Sequence, residues 1–121
     1  MILEAKRKIV PNDFEKVHKV YQEFEWDINK SNRAVLSHEI SFSTAALIFK
    51  NDRIERPDYG EGHFDERDEG KRIYTIGKIV GLKNEVLYCT VIFIEISDSK
   101  ARIISARLSE KDERRCYLEY C

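Results

Sequence analysis

The chain has 121 residues, of which 42% are hydrophobic and 36% are charged. This composition suits one globular domain and lacks the depletion of apolar residues that marks disordered chains. The sequence contains no apolar run near the ~20 residues of a membrane helix and no signal-peptide pattern. Its three cysteines are odd in number and show no metal-ligand spacing, which disfavours a disulfide framework and a zinc site. We therefore expect a cytoplasmic protein with no membrane partner, no metal and no cofactor.

The net charge of −1 is distributed unevenly along the chain. Residues 55–69 contain seven acidic residues and two arginines, which gives this segment −5 and leaves +4 for the rest. A basic remainder is compatible with RNA binding, but an ordinary balanced surface explains the same charges. The charge therefore leaves both interpretations open.

The first 26 residues predict one short helix and one strand. Asn12 and Glu15 form a pair that resembles a capping box, and apolar residues follow at helical spacing, which predicts a helix over about 12–19. Apolar and polar side chains then alternate, which predicts a strand over about 20–26.

Two helices are predicted next, at about 28–37 and 42–50, because Asp27 and Ser41 are good N-caps. Three apolar residues are expected to form the inner stripe of the first helix: Ile28, Val35 and Leu36. Four apolar residues fall at helical spacing in the second helix: Phe42, Ala45, Ala46 and Phe49.

Strands dominate the predicted second half. Short runs of apolar and β-branched residues predict strands over 54–56 and 71–77, and the almost continuous apolar run over 86–96 predicts a central strand. Residues 58–70 are rich in glycine and acids, so we expect an exposed loop there. Residues 98–99 are expected to form a turn.

Residues 101–115 predict a strand that leads directly into a helix, with Ser109 as N-cap and Asp112 in a weak capping-box position. Side chains alternate along a strand, so two faces are expected: Arg102, Ile104 and Ala106 on one, and Ile103, Ser105 and Arg107 on the other. Arg107 would then stand at the end of a rigid strand beside a helix start, which suits a phosphate-binding guanidinium. The whole order of elements predicts an α+β fold, a small antiparallel sheet with helices on one face and the other face free to bind.

An ordered set of short motifs resembles the BrnT family, the toxin subunits of bacterial type II toxin–antitoxin pairs. The motifs are Phe24-Glu25-Trp26-Asp27, Lys30, His38, Ser41-Phe42 with Ala45, Phe49, Arg72 with Gly77, Arg102 to Arg107, Glu113-Arg114 and Tyr117. The resemblance spans about Phe24 to Tyr117. It divides the chain into an N-terminal extension, residues 1–22, and a toxin domain, residues 23–121.

The resemblance implies a RelE-like ribonuclease toxin fold and an endoribonuclease that acts without a ribosome. It also implies a BrnA-like antitoxin with a ribbon-helix-helix domain, a toxin–antitoxin hetero-oligomer, and indirect contact with promoter DNA through the antitoxin. The chain departs from the family pattern at Ala34, where Asn is usual, and at Ser37 and Glu39, where Lys and Gly are usual. The lost Gly forces a non-glycine residue to end the first helix, and the lost Lys removes a cation.

Metal-free RNA cleavage needs a base for the ribose 2′-OH, cations at the phosphate, and an acid for the leaving 5′-oxygen. The catalytic candidates are Arg107, Arg72 and His38, and the substrate-binding candidates are Lys30, Arg102 and Tyr117. The general base and acid could be His38, a Glu, or a Lys or Tyr with a shifted pKa. Each candidate has a structural alternative: for Arg107 a salt bridge to Glu110 or Glu113, for Tyr117 helix packing.

Three classes of function stay open on the sequence. The first is a toxin endoribonuclease that cleaves RNA by metal-independent transesterification. The second is a catalytically weak homologue that mainly binds an antitoxin and contributes to transcriptional autoregulation. The third is an unrelated α+β binding module.

Overall fold

A computed structural model describes residues 13–58 and 72–120. Six strands form one sheet in the order β1-β3-β4-β5-β6-β2. The strands are β1 (Glu15–Val17), β2 (Glu23–Glu25), β3 (Arg53–Pro57), β4 (Arg72–Val80), β5 (Val86–Ser97) and β6 (Lys100–Leu108). The helices are α1 (Ile28–His38), α2 (Phe42–Ala45), which continues as a 3-10 helix (Ala46–Lys50), and α3 (Lys111–Tyr120).

The mixed α+β architecture confirms the predicted fold class. The long strands β4, β5 and β6 pair antiparallel, as the predicted order of consecutive strands indicated. One edge differs, because β2 pairs parallel with β6, and only over Lys100–Arg102. On the side away from β5, the remainder of β6 has no strand beside it among the described residues, so this outer edge is open next to α1.

The predicted N-caps of α1 and α2 are confirmed. The Asp27 carboxylate accepts hydrogen bonds from the backbone N–H groups of Asn29 and Lys30, and the Ser41 hydroxyl accepts one from Thr44. At the other end of α1, Glu39 has a φ of 61°, in the left-handed region. A non-glycine residue in this conformation costs roughly 1–2 kcal/mol, as the departure from Gly predicted.

Helices pack on both faces of the sheet, not on one. The first core lies under α1, α2 and the 3-10 helix and includes Phe49 and Phe93. The second core combines Ile54 and Ile76 of the sheet with Cys116 and Tyr117 of α3. The expectation of one free sheet face was therefore wrong, because α3 folds back onto β3 and β4.

Gly77 lets the 3-10 helix approach the sheet closely. A Cβ atom at this position would lie 2.7 Å from the Cβ of Ile48, which is fully buried. The contact explains why a glycine stands in the middle of β4, where a glycine ordinarily weakens a strand.

Two local predictions, one at each end of the chain, were wrong. Residues Glu15–Val17 form a strand against β3 where a helix over 12–19 was expected, because the pairing with distant residues outweighs local spacing. Ser109 does not cap α3; its hydroxyl bonds that of Thr90, 2.8 Å away. Glu113 instead accepts the backbone N–H of Glu110, the reciprocal half of a capping box that begins at Glu110.

The expected alternation along β6 is interrupted by a bulge. Ser105 pairs with Ile92 and Ile103 pairs with Phe93, which leaves Ile104 as the extra residue. As a result Ala101, Ile103 and Ala106 all join the first core, and Ile104 does not share their burial. The predicted inner stripe of α1 was also wrong, since the residues that α1 buries are Ser31 and Ala34.

Two sequence-based expectations lie largely outside the described residues: the N-terminal part of the extension and the acidic loop after Asp58. In residues 13–58 and 72–120, no helix is long and apolar enough to span a bilayer.

Candidate functional site

A groove runs between α1 and the open edge of β6. It consists of two adjoining cavities of about 270 and 380 Å³ that share Ser37 and His38. The first cavity is lined by α1 and by the bulged part of β6, and the second by the C-terminal ends of both elements. We call this feature the α1–β6 groove. It exists because β2 stops after Arg102 and leaves the strand edge uncovered.

One end of the groove is cationic. Lys30 and Arg33 line the first cavity, both are exposed, and α1 contains no acidic residue. Neither side chain has an ion pair within the described part of the chain. Two free cations spaced i, i+3 on one helix lie side by side and suit a polyanionic strand.

The other end of the groove contains His38 and Arg107. His38 is the last residue of α1 and is exposed, and Arg107 is the second-last residue of β6, with its side chain 30% exposed. Both line the second cavity, together with the carboxylates of Glu39 and Glu110. An imidazole, a guanidinium and carboxylates therefore meet in one open cavity.

Arg107 is held by a two-bond ion pair. Its Nη1 donates to Glu113 Oε1 at 2.6 Å and its Nη2 donates to Oε2 at 2.8 Å. Glu113 is buried, and it also accepts the Tyr74 hydroxyl and the Glu110 backbone N–H. The fork geometry fixes the plane of the guanidinium, and further N–H groups remain as donors.

The electrostatics of this cluster favour the ionised pair. Burial alone would raise the pKa of the Glu113 carboxyl, but hydrogen bonds from Arg107 and Tyr74 outweigh it and lower the pKa. Burial alone would lower the pKa of the Arg107 guanidinium, but the hydrogen bonds and the negative charge of Glu113 outweigh burial, so the pKa is raised. Burial and the neighbouring Glu113 raise the pKa of Tyr74, so its hydroxyl stays protonated and acts as a donor.

A protein-family model described as the ribonuclease toxin BrnT of type II toxin–antitoxin systems matches residues 26–113. The chain belongs to this family. The crystal structure of the BrnT ribonuclease toxin from Brucella abortus has the same fold, with a TM-score of 0.52 at 18% identity. The match covers 74% of this chain and 99% of that chain. A comparison with curated proteins found no match.

The structure does not bring all candidate residues of this BrnT-family chain into the groove. Arg102 pairs with Glu25 at the opposite end of β6, and Arg72 lies in the same cross-strand row as Arg102, with Ile94 between them. Tyr117 is a buried residue of α3, and its ring centroid lies 5.7 Å from that of Tyr88. The position of Tyr117 therefore fits the structural alternative, helix packing, and not contact with a substrate in the groove.

Two of the three positions that we interpret from the sequence as departures from the BrnT motifs lie in the groove. Ser37 lines both cavities, and Glu39 lines the second. The third of these positions, Ala34, is a buried residue of α1 that faces the sheet, and it also borders the first cavity. Ser37 and Glu39 thus place a hydroxyl and a carboxylate beside His38.

The sequence interpretation missed Arg33 and Glu113 as parts of the site. Arg33 was detectable, because it lies three residues after Lys30 and therefore on the same side of α1. Glu113 was considered as an ion-pair partner of Arg107, and the structure confirms that pair. Glu113 also accepts hydrogen bonds from residues of β4 and of the start of α3. That shared role depends on residues far apart in the sequence, so local spacing does not indicate it.

Proposed function

We propose that this chain is an endoribonuclease whose active site is the α1–β6 groove. The observation that carries the proposal is the shared cavity of His38 and Arg107, which continues into the surface of Lys30 and Arg33. An RNA strand lying along the groove would place a phosphate near Arg107 and neighbouring phosphates near the two α1 cations. Membership of a ribonuclease toxin family supports this assignment.

The proposed reaction is a metal-independent transesterification. A base takes the proton of the ribose 2′-OH, the 2′-oxygen bonds to phosphorus, and the bond from phosphorus to the 5′-oxygen breaks. An acid then protonates the leaving 5′-oxygen, so the products are a 2′,3′-cyclic phosphate and a 5′-hydroxyl. His38 is assigned to one proton transfer, and Glu39 and Glu110 are the carboxylates of the same cavity that could serve the other.

Arg107 is assigned to the charge that develops at phosphorus. A guanidinium stays protonated and can donate two parallel hydrogen bonds to phosphate oxygens. By analogy with an oxyanion-hole donor, its contribution would be about 3 kcal/mol. Because Glu113 holds the guanidinium plane in place, little reorganisation is needed when substrate binds.

The proposal includes neutralisation by a cognate antitoxin in the cytoplasm. A BrnA-like ribbon-helix-helix protein would form a hetero-oligomer with this chain and would bring it indirectly to their own promoter. The family description, a toxin of a type II toxin–antitoxin system, supports an antitoxin partner.

A catalytically weak homologue is the second candidate function. Two observations favour it. The Glu113 carboxylate already neutralises the charge of the Arg107 guanidinium, and Glu39 adds a second acidic side chain to the groove. Such a chain would bind its antitoxin and contribute to autoregulation without cutting RNA efficiently.

Labelled RNA incubated with the purified chain in EDTA tests the proposed reaction. We expect cleavage that survives chelation and leaves 2′,3′-cyclic phosphate and 5′-hydroxyl ends. Cleavage that EDTA abolishes would contradict the metal-independent mechanism. No cleavage, together with growth that continues when the chain is induced, would favour the weak homologue.

A further inference from the structure

Helix α1 carries an apolar stripe that this chain does not bury. The exposed fractions are 62% for Ile28, 47% for Val35 and 85% for Leu36. The positions i, i+7 and i+8 lie on one side of a helix, where the exposed Asn32 separates Ile28 from the neighbouring pair Val35 and Leu36. Apolar residues at this spacing ordinarily face a packing partner, and none is present among the described residues.

Basic residues border this stripe. Arg33 precedes Leu36 by three residues, so their side chains are neighbours on the helix surface, and Lys30 precedes Arg33 by three more. With no acidic residue in the helix, α1 presents an apolar side next to a basic side. The matching partner surface is apolar on one side and acidic on the other.

We propose that the exposed surface of α1 is the docking surface for the antitoxin, and that the docking segment is acidic and amphipathic. Its apolar side contacts Ile28, Val35 and Leu36, and its carboxylates pair with Lys30 and Arg33. The inference rests on the proposed neutralisation by an antitoxin and names the surface at which it occurs.

Charge complementarity separates this partner from a second copy of the chain. In a two-fold dimer the same patch meets itself, so Lys30 and Arg33 of the two copies would be brought together. An RNA strand would satisfy the cations but would leave the apolar stripe without a use. An acidic amphipathic protein segment satisfies both features.

The proposed docking also explains how the toxin would be silenced. Lys30 and Arg33 line the α1–β6 groove as well as bordering the stripe. Carboxylates paired with these two cations would take the places of RNA phosphates. Binding of the antitoxin and binding of RNA are then mutually exclusive, although the apolar contacts lie outside the groove.

The test uses the full chain and the protein encoded by the adjacent reading frame, titrated against each other by calorimetry. The variant Leu36→Glu places a like charge against an acidic partner and removes an apolar contact. We expect the dissociation constant to rise about tenfold or more, because the most exposed apolar side chain of the stripe is lost and a repelling charge is added. Leu82→Glu is the matched control, since Leu82 is a fully exposed leucine in the β4–β5 turn.

Leu36 does not line the groove, so RNA cleavage by Leu36→Glu at saturating protein should stay within about twofold of the unaltered chain, while the new carboxylate beside Arg33 would weaken RNA affinity alone. The control variant should match the unaltered chain in both affinity and cleavage. Arg33→Glu should also weaken the complex, and its effect should shrink at high salt.

Several results would overturn the docking surface. One is an unchanged dissociation constant for Leu36→Glu, and another is the absence of any complex with the adjacent gene product. Loss of cleavage by a folded Leu36→Glu chain would assign the stripe to substrate, and a dimer that this variant dissociates would assign it to a second copy. Absence of cleavage by the unaltered chain would contradict the nuclease proposal alone, because the affinity comparison does not depend on cleavage.

Discussion

The Arg107 guanidinium and the Glu113 carboxylate form two hydrogen bonds, of 2.6 and 2.8 Å, between a half-buried cation and a buried anion. The same carboxylate accepts the Tyr74 hydroxyl and caps the start of α3 through the Glu110 N–H. One side chain therefore connects β4, β6 and α3. The residue proposed to bind phosphate is also a structural residue, and the two roles must be separated by experiment.

The Glu113 carboxylate should make folding stability sensitive to acid. Its pKa in the folded chain is lowered from the ordinary 4.5, so its stabilising contribution is complete above that value and is lost as the pH falls through the lowered pKa. Glu113→Gln should reduce the free energy of unfolding at neutral pH by about 1.5–3 kcal/mol, the cost of hydrogen bonds to a charged group. Urea denaturation at several pH values measures the difference, which should shrink below the ordinary carboxyl pKa.

Glu110→Gln is the matched control for that measurement. Glu110 lies 3.8 Å from Arg107 and its side chain is mostly exposed, so its loss should cost about 0.5 kcal/mol or less. A Glu113→Gln chain with the same stability and the same acid sensitivity as the unaltered chain would contradict the assigned ion pair.

Arg107→Ala should abolish most RNA cleavage, but alone it leaves the buried Glu113 carboxylate without its cation and destabilises the chain. The double variant Arg107→Ala/Glu113→Gln removes both charges, so it should fold better than Arg107→Ala. Its cleavage rate should still fall about 100- to 1,000-fold, the typical effect of removing one transition-state donor. Cleavage at the rate of Glu113→Gln alone would remove Arg107 from the mechanism.

Lys30 and Arg33 should contribute to RNA affinity through phosphate contacts. Each alanine substitution should weaken binding of single-stranded RNA and reduce the slope of log affinity against log salt by about 0.7, the value for one phosphate contact. Lys83→Ala, in the β4–β5 turn outside the groove, is the control and should leave the slope unchanged. The slopes are measured by fluorescence anisotropy. If Lys30→Ala, Arg33→Ala and Lys83→Ala all keep the slope of the unaltered chain, α1 is excluded from the RNA interface.

Local physical chemistry was enough to predict several elements. The caps at Asp27 and Ser41 and the long apolar strand β5 were predictable because each depends on neighbouring residues. The helix predicted over 12–19 failed because β1 is fixed by pairing with β3, about forty residues away. The bulge at Ile104 is a register feature of two strands, and one strand's pattern does not indicate it.

The error at α1 is the most informative one. Its apolar spacing predicted an inner stripe of Ile28, Val35 and Leu36, but small residues face the sheet and allow α1 to pack closely. Ser31 even accepts a hydrogen bond from the Phe42 backbone N–H, at 3.0 Å. Helical periodicity identifies a surface that packs against something, but it does not say whether the partner belongs to the same chain.

The candidate site was predictable as separate residues and not as an arrangement. His38 and Arg107 were both named from the sequence, but their shared cavity depends on α1 lying beside the open edge of β6. Arg72 and Arg102 share one row at the other end of the sheet, because the strand register separates them from Arg107.

The central claim, that the α1–β6 groove cleaves RNA, is tested most directly by comparing two histidine variants. His38 lines the groove, whereas His18 is exposed and hydrogen-bonded to Asp52 outside it. Single-turnover cleavage of labelled RNA in EDTA should fall about 100- to 10,000-fold in His38→Gln, the usual contribution of a general acid or base. His18→Gln should cut at the unaltered rate. Equal cleavage by His38→Gln and the unaltered chain would contradict the assignment of the groove as the active site.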